Sequence, residues 1–326
     1  MSSLSLSGPA RVVVLQHRRT LRTVGALALA GIATVVGTWL WMGSVSDSFA
    51  GTGCSVEHTV IGCGVPVRHF LAVEHIFSRL LKYAGLVMML LPALIGMFVA
   101  GPMIGRELES GTYKLSWTQA VSPARWLAAE LAVPAVLSLA GVSVLSAVCA
   151  WARTQGNNTH YTSEWYDREV YGSMGTVPVG YALCMLAFGA LAGLVLRRTV
   201  SAMIVTVIGY SALVMALNTV RNDLWPPRTD TSAVGSGYGF PFGAAADTGQ
   251  GWLTSGGKRL PADVCQKNTT VEFKNCLAEE HITLRYLDYH PASHFWPLQL
   301  VETGILLVLA AAAVALAFRV LRRRHG

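Results

Sequence analysis

The sequence predicts an all-α integral membrane protein built from six transmembrane helices. Three observations carry that expectation. The 326 residues are 52% hydrophobic and only 13% charged, with a mean hydropathy of +0.46. Soluble domains average roughly 25% charged. The apolar residues fall into long runs, and the basic residues gather at the ends of those runs. A net charge of +7 would otherwise suggest nucleic acid; this clustering argues against it and for a lipid bilayer.

A bilayer core of roughly 30 Å needs about 20 apolar residues in a helix. Six segments qualify, at about 24–42, 83–104, 127–151, 179–196, 200–219 and 298–318. Ahead of the first, residues 10–23 mix Val12, Val13, Val14 and Leu15 with Arg18, Arg19 and Arg22. They read either as a helix lying on the inner leaflet or as a basic flank. The first segment has a basic leader and a Ser-Phe-Ala at 48–50, but its apolar core of 19 residues exceeds the roughly 7–15 of a signal peptide. A retained anchor is the better reading. Within 43–82, Phe70, Val73, Phe77 and Leu81 recur at helical spacing, which predicts an amphipathic helix on the outer surface that leads into the second span. Gly101/Gly105 and Gly189/Gly193 are small residues four apart, a spacing that permits close helix approach. Only Arg197 and Arg198 separate the fourth and fifth segments, which therefore form a hairpin.

Arginine and lysine set the orientation. They flank the spans in the N-terminal tail, in 105–126, at 197–198 and in the C-terminal tail (Arg319, Arg322, Arg323, Arg324). With six spans these places share one side, so both termini are expected to be cytoplasmic. The loops 43–82, 152–178 and 220–297 fall on the other side. There Cys54/Cys63 and Cys265/Cys276 form two close pairs, which fit local disulfides in an oxidising compartment. Zinc is the rival reading, although the spacings match no standard ligand pattern. The 220–297 loop begins rich in Gly, Pro, Ser and Asp and reads as irregular; its later part could form a small stapled cap.

Catalytic motifs are missing from the sequence. The nearest approach to a phosphate-binding loop, GWLTSGGKR at 251–259, has the wrong spacing and Arg259 where Ser or Thr is needed. No metal motif is found, and no catalytic residue is assigned. Two acids fall within spans, Glu130 and Glu302. Each lies about one turn from a membrane face, where an interfacial or ion-paired structural role is expected.

The most specific stretch is GRELESGTYKLSWTQAVSPARW, 105–126. It is polar, it lies between two spans, and its 22 residues exceed the usual helix–helix connection of about 2–8. Arg106, Glu107, Glu109, Ser110, Gly111 and Thr112 resemble the R-E-x-x-x-G-T segment of type-2 ABC transporter permeases. YHPASHFWPLQLVETG at 289–304 looks like bacterial members of that family too. The resemblance implies a single transmembrane permease domain over 1–326, with 105–126 as a cytoplasmic coupling helix. Arg106, Glu107, Glu109, Gly111, Thr112 and Lys114 would dock a separate cytoplasmic ABC ATPase. It further implies an exporter in a bacterial plasma membrane, pairing with a second permease as a homodimer or heterodimer. ATP and magnesium would be bound by the partner, not by this chain. The outer loops are longer than the family pattern. A second reading is a membrane sensor or assembly factor that binds a ligand through 220–297; a neighbouring gene for a nucleotide-binding protein would separate the two.

Overall fold

The computed structural model describes residues 18–58, 60–111, 122–155, 164–235, 245–266 and 269–325. The first elements are α1 (Arg18–Ala50), α2 (Gly64–Leu94), a π-helical segment (Ile95–Ala100), α3 (Gly101–Ser110) and α4 (Pro123–Gln155). After them come the single turn α5 (Arg168–Tyr171), α6 (Val177–Leu196), α7 (Thr199–Val220) and a 3-10 turn (Arg221–Asp223). The remainder is β1 (Arg228–Ala233), β2 (Ala246–Thr254), β3 (Arg259–Pro261), α8 (Thr270–Glu279), β4 (Ile282–His290), a second 3-10 turn (Ala292–His294) and α9 (Phe295–His325). Among the described residues, six helical runs are long and apolar enough to cross a membrane: Leu21–Ala50, Gly64–Ser110, Pro123–Gln155, Val177–Leu196, Thr199–Asp223 and Ala292–Arg323. The chain divides into two compact units. One holds Met1–Ser163, Asp167–Met215 and Glu302–Gly326; the other holds Glu164–Tyr166 and Ala216–Val301.

The first unit is helical. Its second run covers 47 residues, about 70 Å at 1.5 Å per residue, more than twice a bilayer core. The amphipathic stretch expected to lead into the second span is continuous with it, as the start of that span's own helix. The reason is its apolar stripe: Phe77 and Leu81 bury against Val35, Trp39 and Met42 of α1 and Val148 and Ala152 of α4. Trp39 meets Trp151 edge-on at 5.1 Å, and Phe49 stacks on Phe70 at 4.5 Å. Pro92 lies inside α2, where it removes a backbone donor, and the π-helical segment begins three residues later.

Of the six runs, α6 is the most buried. Ala100, Ile104, Trp126, Leu127, Leu131, Leu186, Ala190, Leu194, Ala317 and Leu321 form one core drawn from the π-segment, α3, α4, α6 and α9. Arg197 ends α6 in the left-handed region at φ 54°, its N–H bonded to the Gly193 carbonyl, and α7 starts two residues later.

The second unit corrects the all-α expectation. The stretch expected to be irregular supplies β1 and β2, which join β3 and β4 in a four-stranded antiparallel sheet in the order β1-β4-β2-β3. Arg228 pairs with Tyr289 and Asp247 with Tyr289 across β4, while Trp252 pairs with both Leu260 and Arg285. The side chain of Thr269 caps α8 by accepting the Glu272 N–H at 3.2 Å. Cys265, Cys276 and Ile282 pack with Trp252, Leu260, Val264, Phe273 and Leu277 into a small core. The GWLTSGGKR stretch is the β2–β3 hairpin. A Cβ at Gly251 would lie 2.3 Å from the Leu260 carbonyl oxygen, so this glycine serves strand pairing and not phosphate binding.

Candidate functional site

The charged stretch begins on α3, directly below the π-segment. Its helix ends at Gly111, which takes φ +75°, the left-handed C-cap conformation that glycine adopts without penalty. Among the described residues nothing lies within 4 Å of a Cβ placed there, so the visible requirement is one of backbone shape. Thr112 and Lys114 lie outside the described residues.

Both glutamates of α3 are engaged within the chain. Glu107 Oε2 accepts the indole N–H of Trp126, in the first turn of α4, at 3.0 Å. Glu109 Oε2 accepts two bonds from Thr199, the backbone N–H at 3.1 Å and the hydroxyl at 2.8 Å. Thr199 is the first residue of α7, where backbone donors have no intrahelical acceptor and the helix dipole favours a carboxylate. Glu109 is thus an N-cap supplied by another helix. One end of the segment is bonded to the start of the third span, and the same turn is bonded to the start of the fifth.

Glycine makes this closeness possible. Of the small residues noted in the sequence, Gly193 lies against both Gly101 and Gly105, while Gly189 lies against Gly96. A Cβ at Gly189 would lie 2.5 Å from the Gly96 carbonyl oxygen, and one at Gly193 would lie 2.8 Å from the Gly101 oxygen and 3.1 Å from the Gly105 nitrogen. A Cβ at Gly105 would lie 3.3 Å from Thr199 Cα. The π-segment and α3 therefore run backbone to backbone against α6 and the start of α7. Beside them opens a groove of about 570 Å³, with Phe98, Pro102 and Met203 as its apolar lining and Arg106, Glu109, Ser110 and Thr199 as its polar lining. The Arg106 side chain is exposed there.

The two acids within spans are both buried. Glu302 on α9 is fully enclosed and accepts the Tyr181 hydroxyl at 3.1 Å. One residue on, Thr303 and Thr176 share a hydrogen bond of 2.8 Å, and Tyr210 donates to the Met89 carbonyl. Glu130 sits one turn below Trp126 on α4, has Glu107 as its like-charged neighbour, and keeps its Oε2 buried without a hydrogen-bond partner among the described residues. Cys54–Cys63 and Cys265–Cys276 are disulfide-bonded, with Cα atoms 5.6 and 5.7 Å apart. In the sheet, Asp288 accepts from Arg259 at 2.7 Å and from Thr229. Tyr289 donates to Asp230 at 2.8 Å, a bond that holds its phenol above the ordinary range. Among the described residues no three His, Cys, Asp or Glu gather as a metal site.

The family described as ABC-2 membrane transporter related matches residues 23–221. The chain belongs to this family. The match covers more than half of the sequence and ends where the sheet unit's strands have yet to begin. Neither a curated protein nor a solved structure matches the chain. As an ABC-2 membrane transporter related protein with six apolar helical runs, it is a multi-pass membrane protein of the ABC permease type. Members of that family are typically the non-catalytic membrane component.

Glu107 and Glu109, expected from the sequence as docking residues, bond within the chain to Trp126 and Thr199, partners that the sequence did not reveal. Thr199 carried a signal, being a hydroxyl residue at the start of an apolar run after Arg197-Arg198. The acceptor lies 90 positions away, a pairing that no local pattern reveals.

Proposed function

We propose that the chain is the membrane-spanning permease subunit of an ATP-driven exporter in a bacterial plasma membrane. It works as a dimer with a second permease, above two cytoplasmic ATPase subunits that bind ATP and magnesium. Residues 105–126 form the coupling segment, and both termini lie on the same cytoplasmic side. The supporting observation is the placement of α3: it continues the second span and is bonded to the first turns of the third and the fifth. A partner that grips such a segment moves three spans at once.

ATP binding closes the ATPase pair and shifts the segment. The spans then exchange between states that nucleotide favours unequally. Arg106, exposed beside the groove near the end of the second span, offers the partner a charged contact. Charge at such a rim sets specificity and association rate more than affinity. Gly111 ends the helix so that the chain can turn toward Thr112 and Lys114.

The test is co-purification with the ATPase encoded beside the gene. Arg106→Glu reverses a charge without touching either internal carboxylate bond. It is expected to reduce recovery of the ATPase at least tenfold, the effect of about 1.4 kcal/mol. Unchanged recovery would count against docking at this face. The sheet unit, with its own core and disulfide, supports the sensor reading, under which no ATPase would co-purify at all.

A further inference from the structure

We infer that Glu109 is a positioning residue that carries movement of the coupling segment into the fifth span, and is not itself a contact for the ATPase. This rests on the docking reading above and assigns a different job to one of its residues. The carboxylate accepts both polar hydrogens of Thr199, N–H at 3.1 Å and O–H at 2.8 Å. A single acceptor oxygen taking two donors from one residue fixes direction as well as distance, and charge-assisted bonds of this kind are the stronger class.

Two further contacts make the bond a mechanical link. Gly105, one turn earlier on α3, approaches so closely that a Cβ would sit 3.3 Å from Thr199 Cα and 3.4 Å from its nitrogen. On the other side, α7 is joined to α6 by two residues, with Arg197 held in the left-handed region and bonded back to Gly193. Gly193 in turn lies against Gly101 and Gly105. The start of α7 is therefore held between a short turn and α3, which keeps Thr199 within reach of the Glu109 carboxylate. Trp126 holds α4 to the same turn through Glu107, so α3 engages the third and fifth spans by separate carboxylates. Removing Glu109 should free the fifth and leave the third attached.

The experiment uses the full permease–ATPase complex in lipid nanodiscs. Spin labels at Ser110 on α3 and at Val200 on α7 are each measured against a label at Arg322, with and without ATP trapped by vanadate. In the otherwise unsubstituted protein both labels should shift with nucleotide. Glu109→Ala should retain ATPase binding and the Ser110 shift while losing the Val200 shift. Glu109→Gln keeps an acceptor oxygen, and Thr199→Ser keeps both donors; each should retain the Val200 shift, which separates a lost link from a misfolded helix. A full Val200 shift in Glu109→Ala overturns the inference while leaving docking intact. Loss of ATPase binding in Glu109→Ala, but not in Glu109→Gln or Thr199→Ser, also overturns it, since Glu109 would then be the contact. Failure of the unsubstituted permease to bind the ATPase overturns the docking reading, and this inference falls with it.

Discussion

The helical unit and the sheet unit are held together by different physics. In the helical unit, much of the large apolar surface faces outward: Leu27 and Leu29 on α1 and Val200 on α7 are among the most exposed residues. Apolar contact with lipid tails is as favourable as contact between helices, so burial does not drive their packing. What fixes the unit is close backbone approach at Gly96, Gly189 and Gly193, and single polar bonds such as Glu109 to Thr199 and Tyr181 to Glu302. The sheet unit has open edges at β1 and β3, which hydrocarbon does not tolerate, so it belongs outside the bilayer core. There a small apolar core, aromatic contacts and a disulfide carry the load. The helical unit is thus sensitive to one added methyl group, and the sheet unit to one broken staple.

Breaking the staple is the larger effect. The 11-residue separation of Cys265 and Cys276 corresponds to about 3 kcal/mol of chain-entropy stabilisation. In Cys276→Ser, hydrogen exchange in β2 and β4 is expected to quicken by roughly 100-fold, the equivalent of that energy. Exchange in α6 should be unchanged. Equal quickening in both units would mean that they unfold together, and the contrast would be lost.

The smaller effect probes the glycines, and its sign decides. Gly189→Ala places a methyl group 2.5 Å from a backbone oxygen, an overpacking that typically costs about 1–3 kcal/mol. Gly141→Ala, where nothing lies within 4 Å, should gain up to about 1 kcal/mol from helix propensity. Thermal unfolding of the detergent-solubilised protein should therefore move down for the first and up for the second. Movement in the same direction would show that the α6 contact is not what limits stability.

These contrasts also explain what the sequence could reveal. The six spans were legible because length and hydropathy determine them with little regard to packing. The helical start of α2 was visible as the Phe70–Leu81 stripe, but its burial against α1 and α4 was not, since periodicity does not say whether a stripe meets protein or water. The sheet was hidden by Gly, Pro and Asp, which mark turns whether or not strands lie between them. Gly101/Gly105 and Gly189/Gly193 were each visible as spacings; that Gly193 meets Gly101 and Gly105 while Gly189 meets Gly96 is a tertiary fact. Likewise, the charged character of 105–126 was plain, whereas the inward engagement of Glu107 and Glu109 depends on helices that begin at Pro123 and Thr199.

The central claim is that 105–126 faces an ATPase in the cytoplasm. The most direct measurement is photo-cross-linking in intact cells, with a photoreactive amino acid in place of Arg106. A cross-link between the permease and the ATPase encoded beside its gene is the predicted result. Recovery of cross-links to lipid alone, or labelling of a cysteine at this position by a membrane-impermeant reagent added outside the cell, would contradict it.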